Sequence, residues 1–207
     1  MSYWTQPKPV QRERAVAIEQ ISEAALALLN EGGNAALTMR AVAASVGVTA
    51  PSLYSRVRSV DDLADLALDR ALGADPTLHA LCESTDSAPE QVLHALFQHL
   101  RHHPWACRII AERTPRGPHY LRLSERLIVG LKRAGVEEPL AASYALSNFV
   151  IGSALTAGVA EHEASTSVDP EAAPSYALAH AAGGDPIRGP ETVFARGLAV
   201  LLDGFRA

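Results

Sequence analysis

The sequence has few of the residues on which several classes of protein depend. Its 207 residues include only two cysteines, Cys82 and Cys107, and neither lies in a CxxC pattern. A disulfide framework is therefore not expected. Instead, we expect the protein to be in a reducing environment. No apolar run is expected to span a membrane, and the first ten residues lack the apolar core of a secretion signal. We predict a cytoplasmic protein with no membrane partner.

Catalytic motifs are also missing from the sequence. No nucleophile, base and orienting acid fall together, and no glycine loop of the P-loop kind occurs. We accordingly predict no catalytic residues and no cofactor. The alternative is a small all-helical enzyme that uses its histidines as acid–base or metal-binding groups.

Carboxylates are absent from one stretch of a chain that is otherwise acidic. The net charge is −5, yet no Asp or Glu lies between Thr38 and Val60. Residues 1–60 carry six basic and four acidic side chains, a net of +2, so the remaining residues carry −7. An acid-free segment suits a polyanionic partner. The small asymmetry favours a few placed contacts over a broad basic surface.

The acid-free segment has the pattern of two short helices joined by a tight turn. Thr38 can cap the first helix, and Gly47 can adopt the left-handed conformation that closes it. Thr49 is predicted to cap the second helix, which has Pro51 in its first turn. Two helices joined by three or four residues that include a Gly are typical of a helix-turn-helix motif.

The second helix is predicted to present polar side chains to solvent. Leu53 and Val57 lie four residues apart and should face inward. The other side chains are mostly hydroxyls and guanidiniums, which donate hydrogen bonds to phosphates and base edges. An ordinary helical hairpin with a hydrated polar face is the alternative. The predicted DNA-binding residues are Thr38, Arg40, Thr49, Ala50, Pro51, Ser52, Tyr54, Ser55, Arg56 and Arg58.

This segment resembles the DNA-binding module of the tetracycline repressor (TetR) family. The resemblance lies in the order Leu-Thr-x-x-x-Val-Ala, then Val-Gly-Val-Thr-x-Pro-x-Leu-Tyr, then an acidic start to a new helix. It covers about residues 12–72 and implies a DNA-binding transcriptional regulator. One departure is Val60, because the family commonly has a phosphate-contacting Lys there. Arg58 would take over that contact, or the chain would be a binding module that no longer reads DNA.

The rest of the chain has helical periodicity, and we predict an all-α fold. A flexible tail over 1–11 is expected to precede a three-helix DNA-binding domain over 12–58. Lys8, Arg12 and Arg14 either form an arm along the DNA or simply belong to disordered chain. A helical ligand-binding and dimerisation domain is expected over 59–207. A connection is predicted at 73–89, and a loop that holds at most one short helix is predicted at 165–189. The predicted helices cover 12–30, 60–72, 90–103, 105–115, 119–134, 138–163 and the residues from 190 onward.

Small residues recur on the two long helices nearest the end of the chain. They allow helices to approach closely. A homodimer that pairs these helices would set two reading helices about 34–36 Å apart, one DNA turn, as a palindromic operator requires. Packing inside a monomer is the alternative. The small residues are Gly152, Ser153, Ala154, Ala157, Gly158, Ala195, Gly197 and Ala199.

The C-terminal part resembles a tetracycline-repressor ligand-binding domain, through Thr114-Pro115, Tyr144-Ala145-Leu146-Ser147 and Glu161-His162. The positions that hold the metal side of the ligand there fall on Ile110 and Gly158, which cannot coordinate a cation. We therefore predict an apolar or aromatic inducer without a metal, oriented by two arginines. Core packing is the alternative for each aromatic. The predicted ligand-binding residues are Phe97, Leu100, Trp105, Ile109, Arg113, Leu123, Arg126, Leu127 and Phe149.

A histidine cluster comprises His94, His99, His102 and His103. Part of it has the helical spacing of two metal ligands, but no acid is paired with it in the sequence. We predict no metal and a solvated helix end, where His suits the helix dipole. The leading hypothesis is thus a repressor that an inducer releases from DNA by shifting the helix at 60–72.

Overall fold

The computed structural model describes residues 3–5, 16–163, 166–182 and 189–206, and all regular structure within these ranges is helical. The predicted all-α fold is confirmed. A 3-10 turn at Tyr3–Thr5 precedes α1 (Ile18–Ala36), α2 (Met39–Ser45), α3 (Ala50–Leu53), α4 (Val60–Ala74), α5 (Pro76–Glu83), α6 (Pro89–His102), α7 (Pro104–Glu112), α8 (Pro118–Arg133), α9 (Pro139–Glu163), α10 (Pro174–Ala182) and α11 (Gly189–Arg206).

Proline and glycine set many of the helix ends. Each helix from α5 to α10 begins at a proline, whose missing N–H is not needed in the first turn. Gly135 has a φ of 82° just after α8, and Gly33 has a φ of 63° where it interrupts α1. A left-handed backbone costs glycine little, so these positions end regular helix at low energetic cost.

Helix α5 corrects the prediction of a plain connection over 73–89. The Asp75 carboxylate caps this helix by accepting from the N–H groups of Thr77 (2.9 Å) and Leu78 (3.0 Å). The Leu78 side chain is buried in the core. The prediction failed because a polar segment of eight residues becomes a helix once its start is capped and one side chain is anchored.

The N-terminal turn corrects part of the predicted tail. Tyr3 is buried, and its backbone N–H donates to Asp65 Oδ2 at 2.8 Å. The prediction of a flexible tail is therefore wrong for Tyr3–Thr5. The predicted arm residues Lys8, Arg12 and Arg14 lie outside the described residues.

Helix α4 lies at the centre of the fold and carries a row of buried carboxylates. It packs against α1, α5, α7 and α8 and against the N-terminal turn. Asp62, Asp65 and Asp69 follow one another at intervals of three and four residues, and all three are buried. They accept backbone N–H hydrogen bonds from Arg58 (2.8 Å), Tyr3 (2.8 Å) and His119 (2.9 Å), respectively. Since buried carboxylates need such partners, α4 ties two distant segments, the N-terminal turn and the start of α8, to itself, and Asp62 fixes the turn just before α4.

Among the described residues, other helices cover one side of α9 and leave apolar side chains of the other side exposed. Leu146 and Val150 are buried, whereas Leu155 and Val159 are exposed. Its stretch 139–159 has a mean hydropathy of 1.3 and is 28% buried. By length and composition alone this stretch can cross a membrane, so the expectation of no such run is wrong. The buried side packs on α6 and α11, as in the core of a helical domain.

Some of the small residues on α9 and α11 pack inside the chain, and others can pack against a second copy. A side chain at Gly197 would overlap the Phe149 ring, so this glycine allows α11 to approach α9 within one chain. Ala154 and Ala157 are also buried within the chain. Gly152, in contrast, has open space beside it. Exposed apolar side chains on the same two helices include Val159, Val193 and Val200.

Candidate DNA-binding surface and ligand cavities

The helix-turn-helix geometry is present at α2 and α3. The Thr38 hydroxyl accepts from the Ala41 N–H at 3.1 Å and so caps α2. Gly47 has a φ of 72° and closes that helix. The Thr49 hydroxyl is paired with the Ser52 hydroxyl at 2.9 Å and accepts no cap hydrogen bond from the backbone, which corrects its predicted role as a cap.

Regular helix in the second segment is short, and one arginine predicted to face solvent is buried. Regular helix ends at Leu53, and residues 54–56 form turns. Leu53 and Val57 are buried as predicted, but Arg56 is only 8% exposed, so its outward placement is wrong. Its charge lies close enough to Tyr3 to oppose the rise that burial causes in the Tyr3 pKa. Arg56 follows Leu53 by three residues and directly precedes Val57, so helical spacing places it on their inward face, which the prediction overlooked.

Most of the other predicted DNA-binding side chains are exposed. The Ala50 side chain is half-buried and Arg56 is buried. Val60, at the start of α4, is also exposed beside them. No carboxylate lies in 38–60, so this surface carries no acid of its own segment. The exposed members are Thr38, Arg40, Thr49, Pro51, Ser52, Tyr54, Ser55 and Arg58.

The prediction that the histidine cluster is a solvated helix end holds for His102 but not for His99. His99 is 3% exposed, and its Nδ1 lies 2.9 Å from Asp75 Oδ2, so the expectation of no acid partner is wrong. The His103 ring packs against His99, and its Nδ1 lies 3.1 Å from Asn30 Oδ1. His102 is exposed, as expected at a helix end. Among the residues described, no group of three or more His, Cys, Asp or Glu could hold a metal ion.

Two cavities divide the predicted ligand-binding residues. The α8 cavity, of about 420 Å³, lies between α7, α8 and α9, and Arg113 and Leu127 line it. The α1 cavity, of about 970 Å³, lies between α1, α4, α6 and α7, and Trp105 lines it. The prediction of one cavity is wrong in this respect. Six predicted residues line neither space: Phe97, Leu100, Ile109, Leu123, Arg126 and Phe149.

Those six residues have structural contacts instead. Phe97 stacks on Phe194 with 4.0 Å between ring centroids, and Phe149 stacks on the other side of Phe194. Arg126 donates to the carbonyl oxygens of Ser84 (2.5 Å) and Thr85 (2.9 Å), just after α5. Leu100, Ile109 and Leu123 are buried in the core. Core packing, the alternative kept for the aromatics, holds for Phe97 and Phe149.

Arg113 connects the α8 cavity directly to α4. Its guanidinium lies 2.6 Å from Asp61 Oδ2 and 3.3 Å from Asp65 Oδ1. The Asp65 side chain is 2% exposed and also accepts the Tyr3 N–H. Arg113 therefore joins the wall of the α8 cavity to α4 by ion pairs, a link that sequence periodicity did not predict.

Acidification should destabilise the folded protein through the buried histidines. Burial lowers the pKa of His99 and of His103 below the ordinary value of 6.5, and Asp75 offsets this only in part. Below pH 6.5 the unfolded chain therefore binds more protons than the folded one. Each histidine contributes at most about 1.4 kcal/mol of lost stability per pH unit.

Urea unfolding at pH 7.5 and 5.5 measures this effect. We expect the lower unfolding free energy at pH 5.5 and a smaller difference in a His99→Gln variant. The lowered pKa of Asp75 also makes the folded protein less stable on acidification, but only below about pH 4, where the carboxylate of the unfolded chain takes up a proton. A stability that is constant or rises on acidification would contradict the prediction.

Comparisons with known proteins agree with this architecture. The family described as "Bacterial regulatory proteins, tetR family" matches residues 21–66, and "Tetracyclin repressor-like, C-terminal domain" matches residues 87–207. An HTH-type transcriptional regulator of Saccharopolyspora erythraea is 34% identical over 167 residues, covering 77% of this chain and 69% of that protein. The HTH-type transcriptional repressor DrrR1 of Streptomyces coeruleorubidus is 27% identical, and the match covers 72% of this chain and 54% of the repressor.

Solved structures give the same result. Apo ActR of Streptomyces coelicolor has a TM-score of 0.73 at 26% identity, covering 94% of this chain and 97% of that one. ActR in complex with actinorhodin has a TM-score of 0.72 at 27% identity, covering 93% and 96%. The predicted family is confirmed: the chain belongs to the TetR family of bacterial transcriptional regulators.

Proposed function

We propose that this TetR-family regulator acts as a homodimeric repressor that a small apolar or aromatic ligand releases from a palindromic operator. The observation that carries the proposal is the exposed, acid-free surface of α2, α3 and the turn after α3. Regulators of this family are in general soluble cytoplasmic proteins and are generally not enzymes. We extend both properties to this chain, with domains divided near residue 58.

The proposed DNA contacts are donors aimed at phosphates and base edges. Arg40 and Arg58 supply guanidiniums, and Tyr54 supplies a phenol at the end of α3. Arg58 replaces the phosphate-contacting Lys that the family commonly has at the position of Val60. Arg56 is buried, so we assign it a supporting role under the surface rather than a contact with a base.

The proposed dimer uses the exposed surface that α9 and α11 share, which includes Gly152, Val159, Val193 and Val200. One reading module is too small to bind an operator tightly, and two copies add their contacts. Burial of this surface would also cover the apolar side of α9 that the chain leaves exposed. The dimer thus accounts for both the hydropathy of α9 and its low burial.

The proposed inducer site is the α8 cavity. Its volume of about 420 Å³ lies within the range of small-molecule sites, and aromatic and aliphatic side chains such as Tyr120 and Ile151 line it. A ligand that displaced the Arg113 guanidinium would weaken its ion pairs to α4 and change the position of the reading helices. The ActR complex with actinorhodin supports a small-molecule ligand for a regulator of this fold.

A gel-shift titration with the DNA upstream of the protein's own gene tests the proposal. We expect a salt-sensitive complex with sequence preference. Arg58→Ala should weaken binding about tenfold for each half-site and reduce the slope of log K against log salt by about 2, because the dimer loses one phosphate contact at each half-site. Arg108→Ala is the matched control, since that exposed arginine pairs with Glu112 on α7.

Two outcomes would count against the proposal. If no sequence-preferring complex forms, the chain is a binding module that has lost DNA reading, as the Val60 departure allows. If Arg58→Ala and Arg108→Ala weaken binding equally, the contact surface lies elsewhere.

A further inference from the structure

The wall of the α1 cavity contains a buried histidine with one unused ring nitrogen. His99 Nδ1 lies 2.9 Å from Asp75 Oδ2, and a carboxylate can only accept a hydrogen bond, so Nδ1 carries the proton. The other oxygen, Asp75 Oδ1, accepts two backbone N–H groups of α5, which fixes the carboxylate. His99 Nε2 is buried and has no hydrogen-bond partner among the described residues.

The protonation state of His99 determines what Nε2 can bind. Burial lowers the pKa of His99, and the hydrogen bond and charge of Asp75 only partly offset this. Hydrogen bonds from Leu78, His99 and Thr77 outweigh burial and lower the pKa of Asp75, so the carboxylate is ionised. The imidazole is therefore neutral at pH 7.5, and Nε2 is an acceptor. A buried acceptor without a donor costs about 1–3 kcal/mol.

Part of the remaining wall of the α1 cavity is apolar and suits a flat ring, while Asn34, His102 and Arg108 add polar side chains. Leu26 and Leu29 of α1, Ala71 of α4 and Trp105 of α7 line it, in a space of about 970 Å³. The Trp105 indole is held in place because its Nε1 donates to Asn30 Oδ1 at 2.9 Å. Flat rings pack well on a fixed indole, with centroids about 4.5–7 Å apart.

We propose that the α1 cavity is a second ligand site, which binds an uncharged aromatic alcohol. The ring would pack between Trp105 and the leucines of α1. His99 Nε2 is buried and the His103 ring lies against both His99 and Trp105, so a shift of that ring would let the hydroxyl donate to Nε2. The α8 cavity shares no lining residue with this site, so the inference goes beyond the inducer site proposed above.

The second site lies between the two parts of the chain that match the two family models. Leu26, Leu29 and Asn30 lie within the segment that matches the N-terminal regulatory family, 21–66, and Trp105 lies within the C-terminal match, 87–207. A bound molecule would contact both parts at once. The second site therefore suits an effector that acts on the junction between the reading module and the rest of the chain.

Isothermal titration of the full chain at pH 7.5 with 2-naphthol tests the proposal, and 2-methoxynaphthalene is the matched probe. The two share their rings, but the methoxy compound has no proton to donate. We expect 2-naphthol to bind about tenfold more tightly, since one hydrogen bond to an otherwise unpaired group is at stake. Equal affinities for the two probes, or no binding of 2-naphthol, would overturn the proposal. The protein is unaltered in both titrations, so misfolding cannot account for such a result.

Two cavity-filling variants assign the site. Ala74 lines the α1 cavity and is exposed at the end of α4, so Ala74→Trp should abolish 2-naphthol binding. Ser147 lines the α8 cavity, and Ser147→Trp should leave that binding unchanged. The reverse pattern would place naphthol in the α8 cavity and overturn the second site while leaving the proposed inducer site intact. Circular dichroism checks that both variants fold.

Discussion

A Val200→Glu variant should be monomeric at concentrations where the unaltered protein is dimeric, and its operator affinity should fall at least about 100-fold. Val200 is 72% exposed in the single chain, on the surface proposed to pair α9 and α11 between copies. A glutamate there would place one carboxylate from each copy in an apolar interface. Desolvation of each charge costs several kcal/mol, which a dimer interface does not easily tolerate.

The loss of DNA affinity follows from the loss of the second reading module. In a dimer, once one half-site is bound, the other module is held near its half-site at a high effective concentration. A monomer must bind each half-site separately. Sedimentation velocity measures the mass, and a gel-shift titration measures the operator affinity.

Ala80→Glu is the matched control for this experiment. It adds the same charge on an exposed position of α5, which packs on α4, α6 and α8 rather than on α9 or α11. We expect it to remain dimeric and to bind DNA normally. A Val200→Glu protein that stays dimeric would show that α9 and α11 do not form the interface.

The elements that could be predicted from the sequence are those fixed by local chemistry. The cap at Thr38, the left-handed Gly47 and the buried Leu53 and Val57 depend on neighbours within a few residues. Most of the long helices likewise begin and end within a few residues of their predicted bounds, but the helix predicted at 12–30 is observed at Ile18–Ala36. The resemblance to the TetR family was correct because it also depends on this local helix-turn-helix motif.

The features that the sequence did not predict depend on partners far along the chain. Asp65 is buried because Tyr3, 62 residues away, and Arg113 reach it. His99 is buried because Asp75 lies 24 residues earlier. The spacing of Asp62, Asp65 and Asp69 among leucines was a usable signal, because carboxylates on the apolar side of a helix must be paired.

The ligand residues were mispredicted for a related reason. Periodicity shows that an aromatic side chain faces inward, but not whether it meets a cavity or another ring. Phe97 meets Phe194, which follows it by almost a hundred residues, and the two rings fill the space that a ligand was expected to occupy. Arg126 similarly supports the end of α5 and does not face a cavity.

Replacing Arg113 by Met should lower the free energy of unfolding by about 3 kcal/mol, because it leaves the buried Asp65 carboxylate without its cationic partner. Met keeps most of the length of the side chain, so the change removes the charge with little loss of volume. Asp65 retains its hydrogen bond from Tyr3, which places the expected loss at the lower end of the range for a broken buried pair. Urea unfolding at one fixed protein concentration measures the effect, since dimerisation adds a concentration term.

Two further variants separate loss of charge pairing from loss of packing. Arg108→Met removes an exposed arginine from a pair with Glu112 and should cost less than about 1 kcal/mol. Arg113→Met combined with Asp65→Asn removes the stranded charge while an oxygen remains to accept from Tyr3, so it should recover part of the lost stability. No recovery in the double variant would mean that Arg113 acts through packing alone. In that case displacement of its guanidinium by a ligand in the α8 cavity would not reach α4 through Asp65, and the proposed release mechanism would need another connection.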